Sequence, residues 1–94
     1  MAVVVRNVVV SDPRGLHMRP SSAIAEAARG AEGSTITLHY MGRSASATSV
    51  LSLMMLAATQ GAEIEITAEG ERPCQPTVER ICQILRTTQV GSHE

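Results

Sequence analysis

The chain has 94 residues, 44% of them hydrophobic and 18% charged, with a formal net charge of -1. That balance describes one small globular domain over residues 1–94, excludes a disordered chain, and leaves no basic footprint for nucleic acid. Lys, Trp and Phe are absent, and Tyr40 and Asp12 are the only Tyr and the only Asp, which excludes a Schiff-base or P-loop lysine, a base-stacking platform and a multi-aspartate metal cage.

Val3 to Val10 is almost all Val, broken by Arg6 and Asn7, and branching at Cβ predicts a strand. Valine falls on both faces of the pleat, so the pattern leaves the buried face undecided. Ser11 to Gly15 is a loop punctuated by Pro13 and Gly15. A first helix follows, with Pro20 near its start and Gly30 just past its end. Ile24, Ala27, Ala28 and Ala31 form its predicted inner stripe. Ser34 to Tyr40 alternates, with Ile36, Leu38 and Tyr40 on one side and Thr35, Thr37 and His39 facing outward. Met41-Gly42 reads as a two-residue turn into a short strand from Arg43 to about Ala47. Val50, Leu53, Met54 and Ala57 predict the stripe of a second helix that ends before Gly61, and Glu63 to Ala68 a fourth strand. Val78, Ile81, Cys82 and Leu85 predict a third helix, capped by Thr77. The order β-α-β-β-α-β-α predicts an α+β fold, a four-stranded antiparallel sheet with three helices covering one face.

Cys74 and Cys82 are separated along the chain by about 12 Å of helical rise, beyond the reach of a disulfide. Two reduced thiols in a reducing compartment are expected. The opening strand-like run lacks the pattern of a signal peptide. The most apolar stretch, Val50 to Ala58, is far shorter than the roughly 20 residues of a spanning helix. A soluble, cytoplasmic protein without membrane insertion is expected.

His93 lies in the C-terminal tail and His39 on the outer side of a strand. His17 differs in context: it follows a glycine-containing loop and directly precedes a helix whose first turn contains Arg19 and Pro20. The first amides of a helix lack intrahelical partners and carry a partial positive charge. The N–H groups of Met18 and Arg19, and of the residues just beyond Pro20, are therefore a candidate anion cradle. Arg19 adds a guanidinium that can present two parallel donors to phosphate oxygens. An imidazole beside such a cradle is a nucleophile placed for a phosphoryl group. No Lys, no second carboxylate and no metal motif accompanies His17 nearby in the sequence. The cysteines and histidines lack zinc spacing, no nucleophile elbow is present, and no cofactor is expected. If His17 handles phosphate, the donor and the acceptor are other proteins; the plain alternative is an interaction or small-ligand module in which His17 is only a helix cap.

Gly15-Leu16-His17-Met18-Arg19-Pro20 closely resembles the active-site signature of the HPr family, the histidine-containing phosphocarriers of the bacterial sugar phosphotransferase system. Tyr40-Met41-Gly42-Arg43 resembles that family's hairpin, Ser49 to Leu56 its second helix, and Gly61-Ala62-Glu63-Ile64 the entry to its last strand. The resemblance implies an open-faced β-sandwich. It implies that enzyme I, charged from phosphoenolpyruvate, phosphorylates His17 at Nδ1, and that His17 passes the group to enzyme IIA domains of sugar permeases. Arg19 and the amides of Met18 and Arg19 are implied to steady the phosphate. The family's regulatory serine maps to Ser49, which implies an HPr kinase/phosphorylase as a further partner; an N-cap is the plain alternative role for Ser49. The chain departs from the family pattern at Arg14, Thr48 and Ser52.

The second helix is apolar beyond its core stripe. Surplus apolar residues near the active loop point to a partner surface, and methionine suits one that meets several partners. Leu51, Met54 and Met55 are the expected docking patch, with Arg19 and Arg29 at its rim, on a monomer that docks transiently. The alternative is a regulatory HPr relative that signals by binding, through phosphorylation of His17 or Ser49, without sugar transport.

Overall fold

The computed structural model describes residues 2–71 and 75–87. Cys74 and His93, with the expectations attached to them, lie outside the described residues. Four strands, β1 (Ala2–Val9), β2 (Ser34–Tyr40), β3 (Arg43–Ser46) and β4 (Glu63–Gly70), alternate with helices α1 (Met18–Arg29), α2 (Val50–Met55) and α3 (Gln75–Arg86) in the expected order. The sheet runs β1-β4-β2-β3, and every neighbouring pair is antiparallel.

The period of two in the strands puts Val8, Ile36, Leu38, Ala45, Ile64, Ile66 and Ala68 on one buried face. Helical spacing sets Ile24, Leu53, Val78, Ile81 and Leu85 against them in one aliphatic core. Among the described residues nothing covers the other face of the sheet, which makes a two-layer, open-faced sandwich. The register resolves what valine alone left undecided in β1. Val8 pairs with Ile64 and is buried, whereas Val9 pairs with Glu63 and is exposed together with Val3 and Val5. Arg6, on the inner side of this edge strand, reaches α3 and donates from Nε to Glu79 at 2.9 Å. At the β2–β3 turn Met41 and Gly42 both have positive φ, 49° and 80°, which matches the twist of a tight hairpin.

Three local expectations need correction. The inner stripe of α1 holds Ile24, Ala28 and Ala31 as expected, but it is wider on one side: Ser21 and Ala25 are fully buried and Ala27 is only half-buried. Helix α2 stops at Met55, so Ala57 is not part of its stripe. The amides of Leu56 and Ala57 bond Leu53 O and Met54 O at 3.2 and 3.1 Å, a tightened last turn. Ala57 then takes φ 57° and is exposed, which turns Leu56 and Ala58 into the core instead. Finally, α3 begins at Gln75, so Thr77 lies inside its first turn and is not the cap. Pro76 fits there because the amides of a first turn have no intrahelical acceptor.

Cys82 sits in the core at 0% exposure. Burial pushes its thiol above the usual range, and the charge of Glu79 adds to the effect. Iodoacetamide at about pH 8 should leave the Cys82 peptide unmodified in the folded protein and alkylate it fully in guanidinium. Comparable labelling of Cys82 in both states contradicts this packing. Among the described residues no helix is long and apolar enough to cross a membrane.

Candidate functional site

The loop between β1 and α1 is built on a turn. The Gly15 amide donates to Asp12 O at 2.8 Å, and the Arg14 amide donates to Asp12 Oδ1 at 2.9 Å. Aspartate at the first position, Pro13 at the second and glycine at the fourth suit such a turn, because the aspartate side chain caps the backbone two residues on and proline presets φ. Gly15 has φ 71°, and its backbone presses against the chain after α2. A Cβ at Gly15 would collide with the Ala58 carbonyl oxygen and lie 3.0 Å from Thr59 Cα. The Leu16 amide donates to that same carbonyl at 2.9 Å, and the Leu16 side chain is buried. The loop is thereby anchored on both sides before it delivers His17 to the start of α1.

His17 is the N-cap of α1. Its Nδ1 accepts from the Arg19 amide at 3.4 Å, at the long end of hydrogen bonding. Its Nε2 lies 3.0 Å from Asp12 Oδ2. A carboxylate oxygen only accepts, so the ring proton of the neutral imidazole is on Nε2 and Nδ1 keeps its lone pair. The two partners differ sharply in access: the side chain of His17 is 21% exposed and that of Asp12 only 2%. Arg14 Nε stands 3.8 Å from Asp12 Oδ1.

The Ser21 amide donates to His17 O at 3.1 Å, the first bond of the helical ladder. The amides beyond Pro20 are therefore taken by the helix, which corrects the broader cradle expected from the sequence. Pro20 has no N–H, so the amides at the open end are those of Met18 and Arg19, the latter donating to His17 Nδ1. Around them lies a shallow depression of about 450 Å³ lined by Arg14, His17, Met18, Arg19 and Ser22. Two arginines, the imidazole and the helix terminus thus border one open depression. Arg14, a departure from the expected pattern, is one of those two cations.

Asp12 is the residue that the sequence pattern misses. Spacing along the chain sets no carboxylate beside His17, yet the turn folds Asp12 back onto the ring across five positions. The Asp-Pro-x-Gly pattern is the signal that could have found it, since that turn reverses the chain.

Ser49 is the N-cap of α2: its Oγ accepts from the Ser52 amide at 3.2 Å and donates to Ser52 Oγ at 2.9 Å. Leu51 and Met55 are exposed and Met54 is half-buried. Arg29 donates from Nη2 to Thr48 O at 3.4 Å, next to the start of α2. Arg19 and Arg29 stand at opposite ends of α1, about 15 Å apart along its axis. Arg29 therefore borders Ser49, and Arg19 borders His17. His39 faces the open side of the sheet, with Nδ1 2.9 Å from Ser44 Oγ and Nε2 3.0 Å from Thr67 Oγ1.

Known proteins match this chain over most of its length. The family described as PTS HPr component phosphorylation site matches residues 4–87. The phosphocarrier protein HPr of Haemophilus influenzae is 38% identical over 82 residues, which cover 87% of this chain and 94% of that protein. The phosphocarrier protein HPr of Chlamydia muridarum is 32% identical over 77 residues, 82% of this chain and 68% of its own length. The crystal structure of a phosphocarrier protein HPr from Bacillus anthracis has a TM-score of 0.80 at 28% identity, covering 90% of this chain and 99% of that one.

Proposed function

This chain belongs to the PTS HPr family, and from that premise we propose that it is a cytoplasmic, one-domain phosphocarrier. In this reading His17 takes a phosphoryl group from phospho-enzyme I and passes it to enzyme IIA domains of sugar permeases. The observation that carries the reading is the state of the His17 ring: Nε2 is engaged by Asp12 while Nδ1 holds a lone pair at the open end of α1.

The lone pair of Nδ1, released from its long hydrogen bond with the Arg19 amide, attacks the phosphorus of the donor. The bond from phosphorus to the donor breaks, and the donor leaves with its electron pair. The phosphoryl oxygens then meet the amides of Met18 and Arg19, where the helix terminus favours an anion by about 0.3–1 kcal/mol. The Arg19 guanidinium offers two parallel donors to the same oxygens. The depression is open, so an acceptor can reach phosphorus from the solvent side. Covalent catalysis is thus divided between this chain and its partners.

Leu51, Met54 and Met55, with Arg29 beside them, are proposed as the docking face of a monomer. Phosphorylation of Ser49 by an HPr kinase/phosphorylase is proposed as the regulatory step. It would set a dianion at the start of α2, next to Leu51, where a helix tolerates it and a docking partner feels it.

Incubation with phosphoenolpyruvate and an enzyme I should place one acid-labile, base-stable phosphoryl group on each chain, and addition of a IIA domain should discharge it. No uptake from an enzyme I that charges other HPr proteins contradicts the carrier reading. Uptake with no discharge to any IIA domain favours the signalling alternative.

A further inference from the structure

We propose that Asp12 is a positioning residue for phosphoryl transfer: it directs the phosphoryl group to Nδ1 of His17 and keeps the ring's proton on Nε2 throughout the cycle. The inference rests on the carrier reading and deepens it by naming what sets the chemistry of the ring.

Three observations carry it. Asp12 Oδ2 lies 3.0 Å from Nε2, so that nitrogen is covered by a carboxylate and unavailable to an incoming phosphorus. Asp12 is 2% exposed, so the contact works in a medium where charge is poorly screened by water. The Arg14 amide holds Oδ1 at 2.9 Å, which fixes the plane of the carboxylate and leaves Oδ2 aimed at the ring. Among the described residues the charged groups around His17 are Asp12 and Arg14 from the loop and Arg19 from α1.

The bookkeeping of the step gives the carboxylate a task. Before transfer the ring is neutral, with its proton on Nε2. As the Nδ1–P bond forms, Nδ1 gives up its lone pair and the ring becomes cationic. The carboxylate of Asp12 meets that charge at Nε2–H, so no proton has to leave. In the return step the Nδ1–P bond breaks, its electron pair goes back to Nδ1, and the ring is neutral again with the same proton in place. Were the Nε2 proton lost, the ring would have to depart as an imidazolate, a far poorer leaving group. Asp12 therefore keeps the phosphoryl group transferable as well as directing it.

The test uses the intact chain and potassium phosphoramidate, a small donor that reaches either ring nitrogen and releases ammonia on transfer. In the unmodified protein long-range ¹H–¹⁵N correlations should show His17 as the Nε2–H tautomer, and labelling should give phosphorus on Nδ1. In Asp12→Ala, with Nε2 uncovered, a substantial share of the His17 label should appear on Nε2. Asp12→Asn keeps the shape of the turn and still accepts from the Arg14 amide, but turns an amide donor toward Nε2. The Nδ1–H tautomer should then accumulate, and uptake should fall at least about tenfold, as in a catalytic triad whose histidine is held in the wrong tautomer. Label on Nδ1 alone in Asp12→Ala, together with an unchanged tautomer in Asp12→Asn, overturns the proposal. The tautomer readout needs no phosphoryl group, so it judges the role of Asp12 even where the carrier reading fails.

Discussion

Substitution of His17 by Ala should abolish phosphoryl uptake, to at least about a hundredfold below the unmodified chain, in line with the loss of a covalent nucleophile. Among the described residues nothing else lining the depression can replace it: Arg14, Met18, Arg19 and Ser22 offer no ring nitrogen. His39 is occupied at both nitrogens by Ser44 and Thr67 on the open face of the sheet, so His39→Ala should retain full uptake. The folding cost of His17→Ala is modest. The helix loses its N-cap acceptor, about 1 kcal/mol, and buried Asp12 loses one hydrogen-bond partner, about 1–3 kcal/mol. A domain stable by roughly 5–15 kcal/mol survives that loss. Circular dichroism with an unchanged fold beside absent labelling is the expected pair of results, and labelling retained in His17→Ala contradicts the site.

Gly15→Ala acts through the scaffold. The alanine must adopt φ 71°, a conformation that costs an L-residue about 1–2 kcal/mol, and its Cβ would run into the Ala58 carbonyl oxygen. That oxygen is backbone and also holds the Leu16 amide, so it cannot swing aside cheaply. Overpacking against a fixed neighbour adds about 1–3 kcal/mol. The expected total is about 2–5 kcal/mol of lost stability, together with slower phosphoryl uptake, because the same movement carries Asp12 and His17 apart. Gly42→Ala separates the two causes. Gly42 has φ 80°, but a Cβ added there would meet nothing within 4 Å, so only the conformational cost of about 1–2 kcal/mol should appear, with uptake intact. Equal denaturation midpoints for Gly15→Ala and Gly42→Ala contradict the close approach to Ala58.

Much of the fold is legible along the chain because it is local. Alternation in Ile36, Leu38, Ile64 and Ile66, and helical spacing in Val78, Ile81, Cys82 and Leu85, report directly on burial. His17 stands out from its place between a glycine turn and a helix. What escapes the sequence depends on contacts that spacing does not encode. Ala57 takes a left-handed conformation that glycine usually occupies, because the chain must turn there to bring Ala58 under Leu16. Asp12 reads as a loop residue until the turn folds it onto the ring. The separation of Arg19 from Arg29 follows from the length of α1, and only the fold shows that Arg29 reaches Thr48, just ahead of the second helix.

In this account the phosphoryl group travels on Nδ1 of His17. The most direct measurement is a ³¹P–¹⁵N and long-range ¹H–¹⁵N assignment of the uniformly ¹⁵N-labelled chain after charging by enzyme I and phosphoenolpyruvate. Phosphorus bonded to Nδ1 of His17, with the proton still on Nε2, is the predicted result. Phosphorus on Nε2, or on any residue other than His17, contradicts it.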